Sequence, residues 1–202
     1  KQGLVSNPVH KQYSANQIAH LMVVAILKQV TPLEHVNQLF CRQKNVYTDQ
    51  IAYDYFCEEL ENIVINGSSD VLDLDEAFRA CSKLESVFLD CSGATSLNLT
   101  FYLCKSLKNV TLKNTDNVTS MEELFYDCES LEKAPELETC NVTSMLMMFR
   151  GCKSLKEVPH YNTLNVQNFN GMFRDCESLE YLPKIDTSNA VGFNEMFRGC
   201  KS

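Results

Sequence analysis

The sequence lacks the features that mark several large classes of protein. Among its 202 residues there is no Trp, and 7 Gly and 5 Pro are too few for a collagen or a low-complexity linker. Basic residues are also scarce, since 18 Lys and Arg face 26 Asp and Glu and leave a net charge of −8. Nucleic-acid binding needs Lys and Arg to neutralise phosphates, so we expect no nucleic-acid partner. The longest apolar run, residues 21–27, is far shorter than the roughly 20 residues that cross a membrane.

What the sequence does contain is a strict internal repeat. Phe stands three residues before Cys in six places, at Phe78, Phe101, Phe125, Phe149, Phe173 and Phe197. The intervals between these Phe residues are 23, 24, 24, 24 and 24 residues. The cysteines that follow them share one register with Cys57, so seven of the ten cysteines belong to the repeat. A constant period over this many units indicates a repeat protein whose coils stack on one another.

Each repeat is predicted to hold one short strand and one short helix. Apolar pairs such as Leu131 and Ala134 would lie on the strand, and the Pro that follows, as at Pro135, ends it because Pro cannot donate a ladder hydrogen bond. A Thr-Ser pair would then cap the helix. The apolar positions of one such helix fall on a single face, at Met145, Met148, Phe149 and Cys152.

One strand and one helix cannot bury a core alone, so stacked coils are required. We therefore expect an α/β repeat solenoid over residues 57–202, a right-handed coil with a parallel sheet along one side. It would hold about six coils and a truncated last one. Residues 1–56 show three helical patterns instead, and we predict a helical N-terminal cap that covers the first coil. A separate functional domain is the other interpretation of this segment.

The repeat resembles a known family. The runs MFRGCKSLKEVP at 148–159, NVTSM at 141–145 and TSN at 187–189 are similar to BspA-like leucine-rich repeats, especially those of mycoplasma lipoproteins. The resemblance covers about residues 57–202 and implies a leucine-rich-repeat-like solenoid. It also implies a bacterial surface adhesin or interaction module, and not an enzyme. The first coils depart from the pattern, since Asp54 replaces Phe and the coil after Phe78 is one residue short.

The cysteines and histidines do not indicate a metal site or a catalytic centre. Zinc sites use closely spaced cysteine pairs, whereas no two cysteines here lie within nine residues of each other. The repeat cysteines are predicted to be buried thiols, and a disulfide ladder between coils is the alternative. Cys140 is outside the register and is predicted to be exposed. The four histidines show no pairing with a nucleophile, so we expect no enzyme, no metal and no cofactor.

Charges alternate in sign along two columns of the repeat. The residues that follow the Cys are Lys105, Glu129, Lys153, Glu177 and Lys201. The residues that follow the repeat Leu are Lys108, Glu132, Lys156 and Glu180. Stacking predicts that each Lys faces a Glu in the next coil, which would fix the register of the coils. A charged ligand site is the alternative, although alternating signs cancel any net field.

A further column directly follows the core Phe and should point outward. It contains Arg79, Tyr102, Tyr126, Arg150, Arg174 and Arg198, which we call the Arg/Tyr column. Arg and Tyr are enriched at protein interfaces, so these residues are candidates for binding a partner. Pairing of the Arg side chains with Asp127, Asp175 or helix-end carbonyls is the structural alternative. On the strand side, the candidate contacts are His160, Tyr161 and Tyr181.

Asn also forms a column that allows two interpretations. Five N-x-[ST] sequences begin at Asn66, Asn98, Asn109, Asn117 and Asn141. In a secreted eukaryotic protein they would be read as glycosylation sites. Two of them, however, belong to a column that continues at Asn165 and Asn189 without the Thr, which favours a structural role in a turn.

These observations together predict a surface-displayed interaction or adhesion module. Its partner would be a protein or glycan of a host or neighbouring cell, bound through the repeat face, without membrane insertion by this sequence. A structural spacer with no ligand of its own is the alternative. Residues 1–10 lack the regions of a signal peptide and the repeat is incomplete at Ser202, so we expect an export signal outside this sequence. A cytoplasmic location is the alternative.

Overall fold

A computed structural model of the protein describes residues 61–65 and 73–201. Three short parallel strands form one sheet in the order β1-β2-β3: β1 is Asn62–Ile65, β2 is Ser86–Asp90 and β3 is Asn109–Lys113. Pairs such as Ile63 with Val87, and Val87 with Val110, are in register, so equivalent residues of successive coils lie side by side. This arrangement is the parallel-stacked repeat solenoid that the 24-residue period predicts.

Between β3 and residue 201, the last one described, the sheet continues as single bridges. Lys133 pairs with Glu157, and Glu157 pairs with Tyr181. Each of these residues lies two positions before a Pro, and these prolines form a column at Pro135, Pro159 and Pro183. Pro has no N–H to donate, so the ladder cannot extend through that column. A second ladder joins the coils half a repeat away, through Ser96, Ser120, Ser144, Asn168 and Gly192.

The structure corrects the prediction of one helix per repeat, because the described residues contain none. In the segment that follows the Thr-Ser pair, alternate amides donate to the next coil instead. The N–H of Phe125 donates to the C=O of Met148 at 2.9 Å, and that of Glu123 donates to Leu146 at 2.8 Å. Other amides close four-residue turns within the coil, as from the N–H of Cys128 to the C=O of Phe125 at 3.1 Å.

The backbone dihedral angles explain why a helix does not form there. Glu123 has φ of +54° and Asp127 also has φ of +54°, so a left-handed residue recurs every four positions. A continuous α-helix needs negative φ at every residue. The bonds between coils satisfy the amides that a helix would pair internally. The amphipathic spacing therefore belongs to a series of tight turns and not to a helix. The apolar residues of this segment still face the core.

The core contains a stack of Phe rings. Neighbouring rings from Phe78 to Phe197 lie 5.5–5.7 Å apart at interplanar angles of 12° or less. Five of these six rings are fully buried. The repeat therefore buries one ring per coil in a continuous column, and each ring covers the face of the next.

The prediction of buried thiols is confirmed for the described repeat cysteines from Cys81 to Cys176, whereas Cys200 is half-buried. All eight described cysteines are free, and Cys104, Cys128, Cys152 and Cys176 are buried. Each of these four thiols donates to the C=O of the preceding coil's Phe, as from Cys128 Sγ to Phe101 O at 3.2 Å. The disulfide ladder is therefore wrong. Cys140 is exposed, as predicted.

Hydrogen bonds from polar side chains also connect successive coils. Asn141, Asn165 and Asn189 each donate a side-chain N–H to a carbonyl of the preceding coil at 2.7–2.9 Å. The buried Thr139 hydroxyl donates to Asn162 O of the following coil at 3.0 Å. These bonds confirm that the Asn column has a structural role. The predicted helical cap at 1–56 lies outside the described residues.

Candidate interaction surface

The fold places the Arg/Tyr column on the outside of the solenoid. Phe101, Phe125 and Phe149 are fully buried, and the residue after each points away from the core. Because equivalent residues of successive coils are in register, the outward side chains stack into one column. Arg79 and Arg198 are exposed, and the four residues between them are half-buried.

Four members of the Arg/Tyr column form a continuous stack. The Tyr102 and Tyr126 rings lie 4.6 Å apart between centroids, at an interplanar angle of 28°. The guanidinium carbon of Arg79 lies 5.1 Å from the Tyr102 ring centroid, and that of Arg150 lies 5.0 Å from Tyr126. We call these four residues the Arg-Tyr stack. Both Tyr rings are covered on their two faces, which leaves their edges and hydroxyl groups as the parts that a partner can reach.

The Arg side chains differ in their partners. Arg79 binds Glu76 at 2.7 Å. Arg174 and Arg198 share the carboxylate of Glu195, and the hydrogen bond from Arg198 is the main reason why the pKa of Glu195 is lowered. Arg150 instead donates to the thioether of Met147 at 3.7 Å, and no ion pair to it occurs within the described ranges. Its guanidinium is thus held by an aromatic ring and a weak acceptor.

Pairing of an Arg of this column with a neighbouring Asp, the structural alternative to partner binding, is found at Arg174. Arg174 Nε lies 3.4 Å from Asp175 Oδ2, as that alternative predicted. For Arg150 the structure gives no ion pair with Asp127, and burial is the main cause of a raised pKa for the Asp127 carboxyl. Burial likewise raises the pKa of Glu123, although Arg150 and Arg79 oppose that shift. The column therefore has a C-terminal segment in which Glu195 binds both arginines, and an N-terminal segment built on aromatic contacts, where Arg79 also pairs with Glu76.

The strand-side candidates separate into a buried residue and two exposed ones. Tyr161 is only 4% exposed, so its selection as a surface contact is wrong. Its hydroxyl donates to Pro135 O at 2.8 Å, and its ring lies parallel to Phe149 with 6.5 Å between centroids. His160 is exposed and Tyr181 is 63% exposed. His160 lies ten residues after Arg150 and Tyr181 lies seven residues after Arg174, so neither belongs to the Arg/Tyr column.

The alternating charges form the predicted pairs between coils. Glu129 lies between two lysines, with Lys105 Nζ at 3.3 Å from one carboxylate oxygen and Lys153 Nζ at 3.3 Å from the other. In the second column, Lys156 binds Glu132 at 2.7 Å. Hydrogen bonds from the lysines lower the pKa of Glu129, Glu132 and Glu177. The pairing is therefore confirmed for Glu129, Glu132 and Glu177, whereas Lys108 binds Glu85 of the coil before it at 3.2 Å.

Two features were missed in the sequence. Lys133 binds Glu157 at 2.8 Å in a third column, next to the single bridges of the sheet. Asp and Gly also alternate at Asp127, Gly151 and their equivalents, in step with the signs of the charges that follow the Cys. Across the described part of the chain, no group of three or more His, Cys, Asp and Glu side chains could hold a metal ion. No helix there is long and apolar enough to span a bilayer.

The geometry defines a class of protein before any comparison is made. A coil of 24 residues that stacks in parallel, with a column of apolar side chains inside and ladders of polar residues outside, is a repeat solenoid of the leucine-rich-repeat type. The chain belongs to the family described as mycoplasma protein of unknown function, DUF285, which matches residues 56–157 and 95–202. This match confirms the resemblance to mycoplasma-type BspA-like repeats.

The N-terminal segment matches a different description. Residues 1–60 are similar to a domain of unknown function, DUF1836. The boundary of this match lies close to the start of the predicted solenoid. No curated protein matches the chain.

Three solved structures of bacterial leucine-rich repeat proteins are similar to the chain. One from Eubacterium ventriosum is 17% identical over 63% of this chain, with a TM-score of 0.47, and the chain spans 40% of its length. A second, the leucine-rich repeat protein of T. pallidum, is 19% identical, with a TM-score of 0.36 and 70% of each chain covered. One from Bacteroides ovatus is 19% identical, with a TM-score of 0.39, over 59% of this chain and 38% of its own.

Proposed function

We propose that this protein is a non-enzymatic interaction or adhesion module, displayed on a bacterial cell surface, that binds a protein or glycan partner through its repeat face. The observation that carries the proposal is the Arg-Tyr stack. Repeat solenoids offer extended, rigid surfaces on which neighbouring coils present equivalent side chains. Binding energy at such surfaces is concentrated in a few Tyr and Arg residues.

The stack is suited to binding because its side chains are already ordered. Each Tyr ring is held between two neighbours, and Arg150 lies over Tyr126 with its centre 5.0 Å from the ring centroid. A partner that contacts these groups loses little side-chain entropy on binding, which is a major cost at flexible surfaces. Arg174 and Arg198 are already engaged by Glu195, so a partner would have to replace those ion pairs.

The binding site is therefore centred on Tyr126 and Arg150, and the two C-terminal arginines are peripheral. The test is a binding screen with the immobilised full chain against extracellular-matrix proteins, mucins and a glycan array. Two double variants are compared in it, Tyr126→Ala with Arg150→Ala, and Arg174→Ala with Arg198→Ala. We expect the first variant to lose about tenfold or more in affinity and the second to lose less.

A matched control separates loss of binding from loss of charge or folding. Lys133→Ala removes an exposed cation that pairs with Glu157, outside the Arg/Tyr column. It should bind like the parent, and circular dichroism should show all variants folded. Equal binding by both double variants and the parent would move the site to the strand side, at His160 and Tyr181. Absence of any hit on the panels would favour a structural spacer over a binding module.

A further inference from the structure

A second column of the repeat runs beside the Arg/Tyr column. It consists of the residues two positions before each repeat Phe, which all have positive φ, and we call it the bridging column. Its members are Glu76, Leu99, Glu123, Met147, Gly171 and Glu195. Glu76 binds Arg79 of its own coil at 2.7 Å, and Glu195 binds both Arg198 of its own coil and Arg174 of the preceding coil. A Glu in the bridging column can therefore join two neighbouring arginines.

The carboxylate that would join Arg150 to Arg174 is missing. These arginines belong to neighbouring coils that are in contact here, since the N–H of Gly151 donates to the C=O of Arg174 at 2.8 Å. The bridging residue for this pair is Gly171, which lies 24 residues before Glu195 and has no side chain. Like charges that face each other across stacked coils are unfavourable. This pair of arginines therefore has the two cations of the bridged arrangement but lacks its anion.

Both arginines also keep N–H donors that no described residue accepts. Arg150 lies over the Tyr126 ring and donates to the thioether of Met147, and within the described residues it forms no ion pair. The Nε of Arg174 is buried and has no hydrogen-bond acceptor in the described part of the chain. A guanidinium carries five donors, and its strongest partner is a carboxylate, which can accept two of them. One further carboxylate would therefore complete the pairing of these two side chains.

Gly171 leaves room for such a group. A Cβ placed on Gly171 would lie 3.2 Å from Met147 Cγ and 3.9 Å from Arg174 Cβ, and its nearest contacts are side-chain atoms and not backbone. Leu146 and Met147 are both half-buried and lie in the coil on one side of this position. The gap therefore combines two arginines with an apolar border.

We propose that this gap, formed by Arg150, Arg174 and Gly171, binds the carboxylate of a Glu or Asp side chain of a protein partner. The inference deepens the proposed function and rests on it. The partner's carboxylate takes the place that Glu195 occupies in the next coil, so the charges of the two surfaces are complementary. A sugar acid fits the gap less well, because the hydroxyl groups around its carboxylate would lose their hydrogen bonds against the apolar border.

Two matched variants test whether the gap accepts a carboxylate. Gly171→Glu supplies the carboxylate from within the chain, and Gly171→Gln has the same shape without the charge. Both should be tolerated by the backbone, since Gly171 has φ of +60° and Glu195 adopts +57° at the equivalent position. At pH 7 we expect Gly171→Glu to unfold about 2 °C higher than Gly171→Gln. The difference should shrink in an Arg150→Gln background, and it should disappear in acid as the carboxylate is protonated.

Binding is measured on the full chain with short probes. The first probe is the peptide acetyl-Leu-Glu-Leu-amide, and its control has Gln in place of Glu. Glucuronic acid and sialic acid represent acidic glycans. NMR of the arginine side-chain N–H groups should show that the Glu peptide shifts the signals of Arg150 and Arg174, with an affinity about fivefold above that of the Gln peptide. The shifts should be lost in Gly171→Glu and kept in Gly171→Gln, and the signal of Arg79 should not move.

Equal binding of the two peptides, or binding of the Glu peptide that persists in Gly171→Glu, would overturn the proposal. Tighter binding of the sugar acids than of the Glu peptide would also overturn it and assign the gap to a glycan. The proposed function is judged separately, by the loss of binding in Tyr126→Ala with Arg150→Ala. A partner that is lost in that double variant but binds Gly171→Glu as well as the parent would support the proposed function and reject this site.

Discussion

At the scale of single residues, the alternation of Asp and Gly has a direct steric cause. Gly151 has φ of +74°, a left-handed conformation that costs energy for most residues. A Cβ placed on Gly151 would overlap the carboxylate of Asp127 in the preceding coil. The same relation joins Gly199 to Asp175. An Asp in one coil therefore favours a Gly in the next, and the alternation of Asp and Gly is consistent with local packing.

This relation predicts the effect of a single methyl group. Gly151→Ala should destabilise the protein by about 1–3 kcal/mol, because it adds both the strain of positive φ and the overlap with Asp127. Urea denaturation monitored by circular dichroism measures the free energy of unfolding.

A double variant separates the two causes. Asp127→Ala removes the carboxylate, so Gly151→Ala should cost less in that background than in the parent. If the cost is the same in both backgrounds, the overlap with Asp127 does not contribute and only the backbone strain remains.

At the scale of the structural element, the charge columns favour one register of the coils over the others. Each exposed ion pair contributes only about 0.2–1 kcal/mol to stability. A slip by one coil, however, would place Lys opposite Lys and Glu opposite Glu along the whole column. The columns therefore contribute more to a unique register than to stability. Glu129 is the best position for a test because it contacts two lysines.

Reversing one charge should be partly repaired by reversing its neighbours. Glu129→Lys should lower the free energy of unfolding, by no more than about 1–2 kcal/mol for two exposed contacts. Addition of Lys105→Glu with Lys153→Glu should recover part of that loss, as measured by urea denaturation at low salt. If the losses simply add, the columns do not couple the coils.

The same pairs predict a dependence of stability on pH. Hydrogen bonding to Lys105 is the main cause of a lowered pKa for Glu129. A carboxyl with a lowered pKa in the folded state adds stability above its usual value of 4.5, and the gain is lost as the pH falls through the lowered pKa. The parent should therefore be more stable than Glu129→Gln at pH 7.

The difference between these two proteins should close under acidic conditions. Thermal unfolding followed from pH 7 to pH 2 measures it. A difference that does not change with pH would mean that Glu129 acts through packing and not through its charge.

At the scale of the whole molecule, the reactivity of the cysteine thiols shows whether the core is intact. Burial raises the pKa of the Cys91 thiol to about 12, and it raises the pKa of Cys128 and Cys152 well above the usual value. Because thiolate is the reactive form, these groups should be inert in the folded protein. Cys140 should react first among the described cysteines.

Unfolding without a reductant should therefore expose all the thiols. We expect close to ten equivalents of a thiol reagent to react with the denatured protein, since the sequence has 10 cysteines. In the folded protein the count should be much lower. A count near zero after unfolding would mean that the cysteines are paired, which contradicts the free thiols of the described core.

The comparison of sequence and structure separates two kinds of information. The period predicts which residues share a column, so the Phe stack, the buried thiols, the Lys-Glu pairs and the outward Arg/Tyr column all follow from spacing. The helix prediction fails because the spacing of Met145, Met148, Phe149 and Cys152 fits a helix and a tightly turned coil wall equally well. Periodicity reports which face is buried, but it does not report where the backbone amides find their acceptors.

The repeat, its register and the contents of each column follow from the spacing of the residues, because parallel stacking brings residues 24 apart into contact whatever the path of the backbone. Packing in three dimensions sets the conformation within a coil, since amides such as that of Phe125 bond to the next coil and not within a helix. It also decided the burial of Tyr161, whose hydroxyl finds an acceptor at Pro135 O. Finally, it separated Arg150, held by Tyr126, from the arginines that Glu195 engages, because that distinction depends on side-chain geometry between coils.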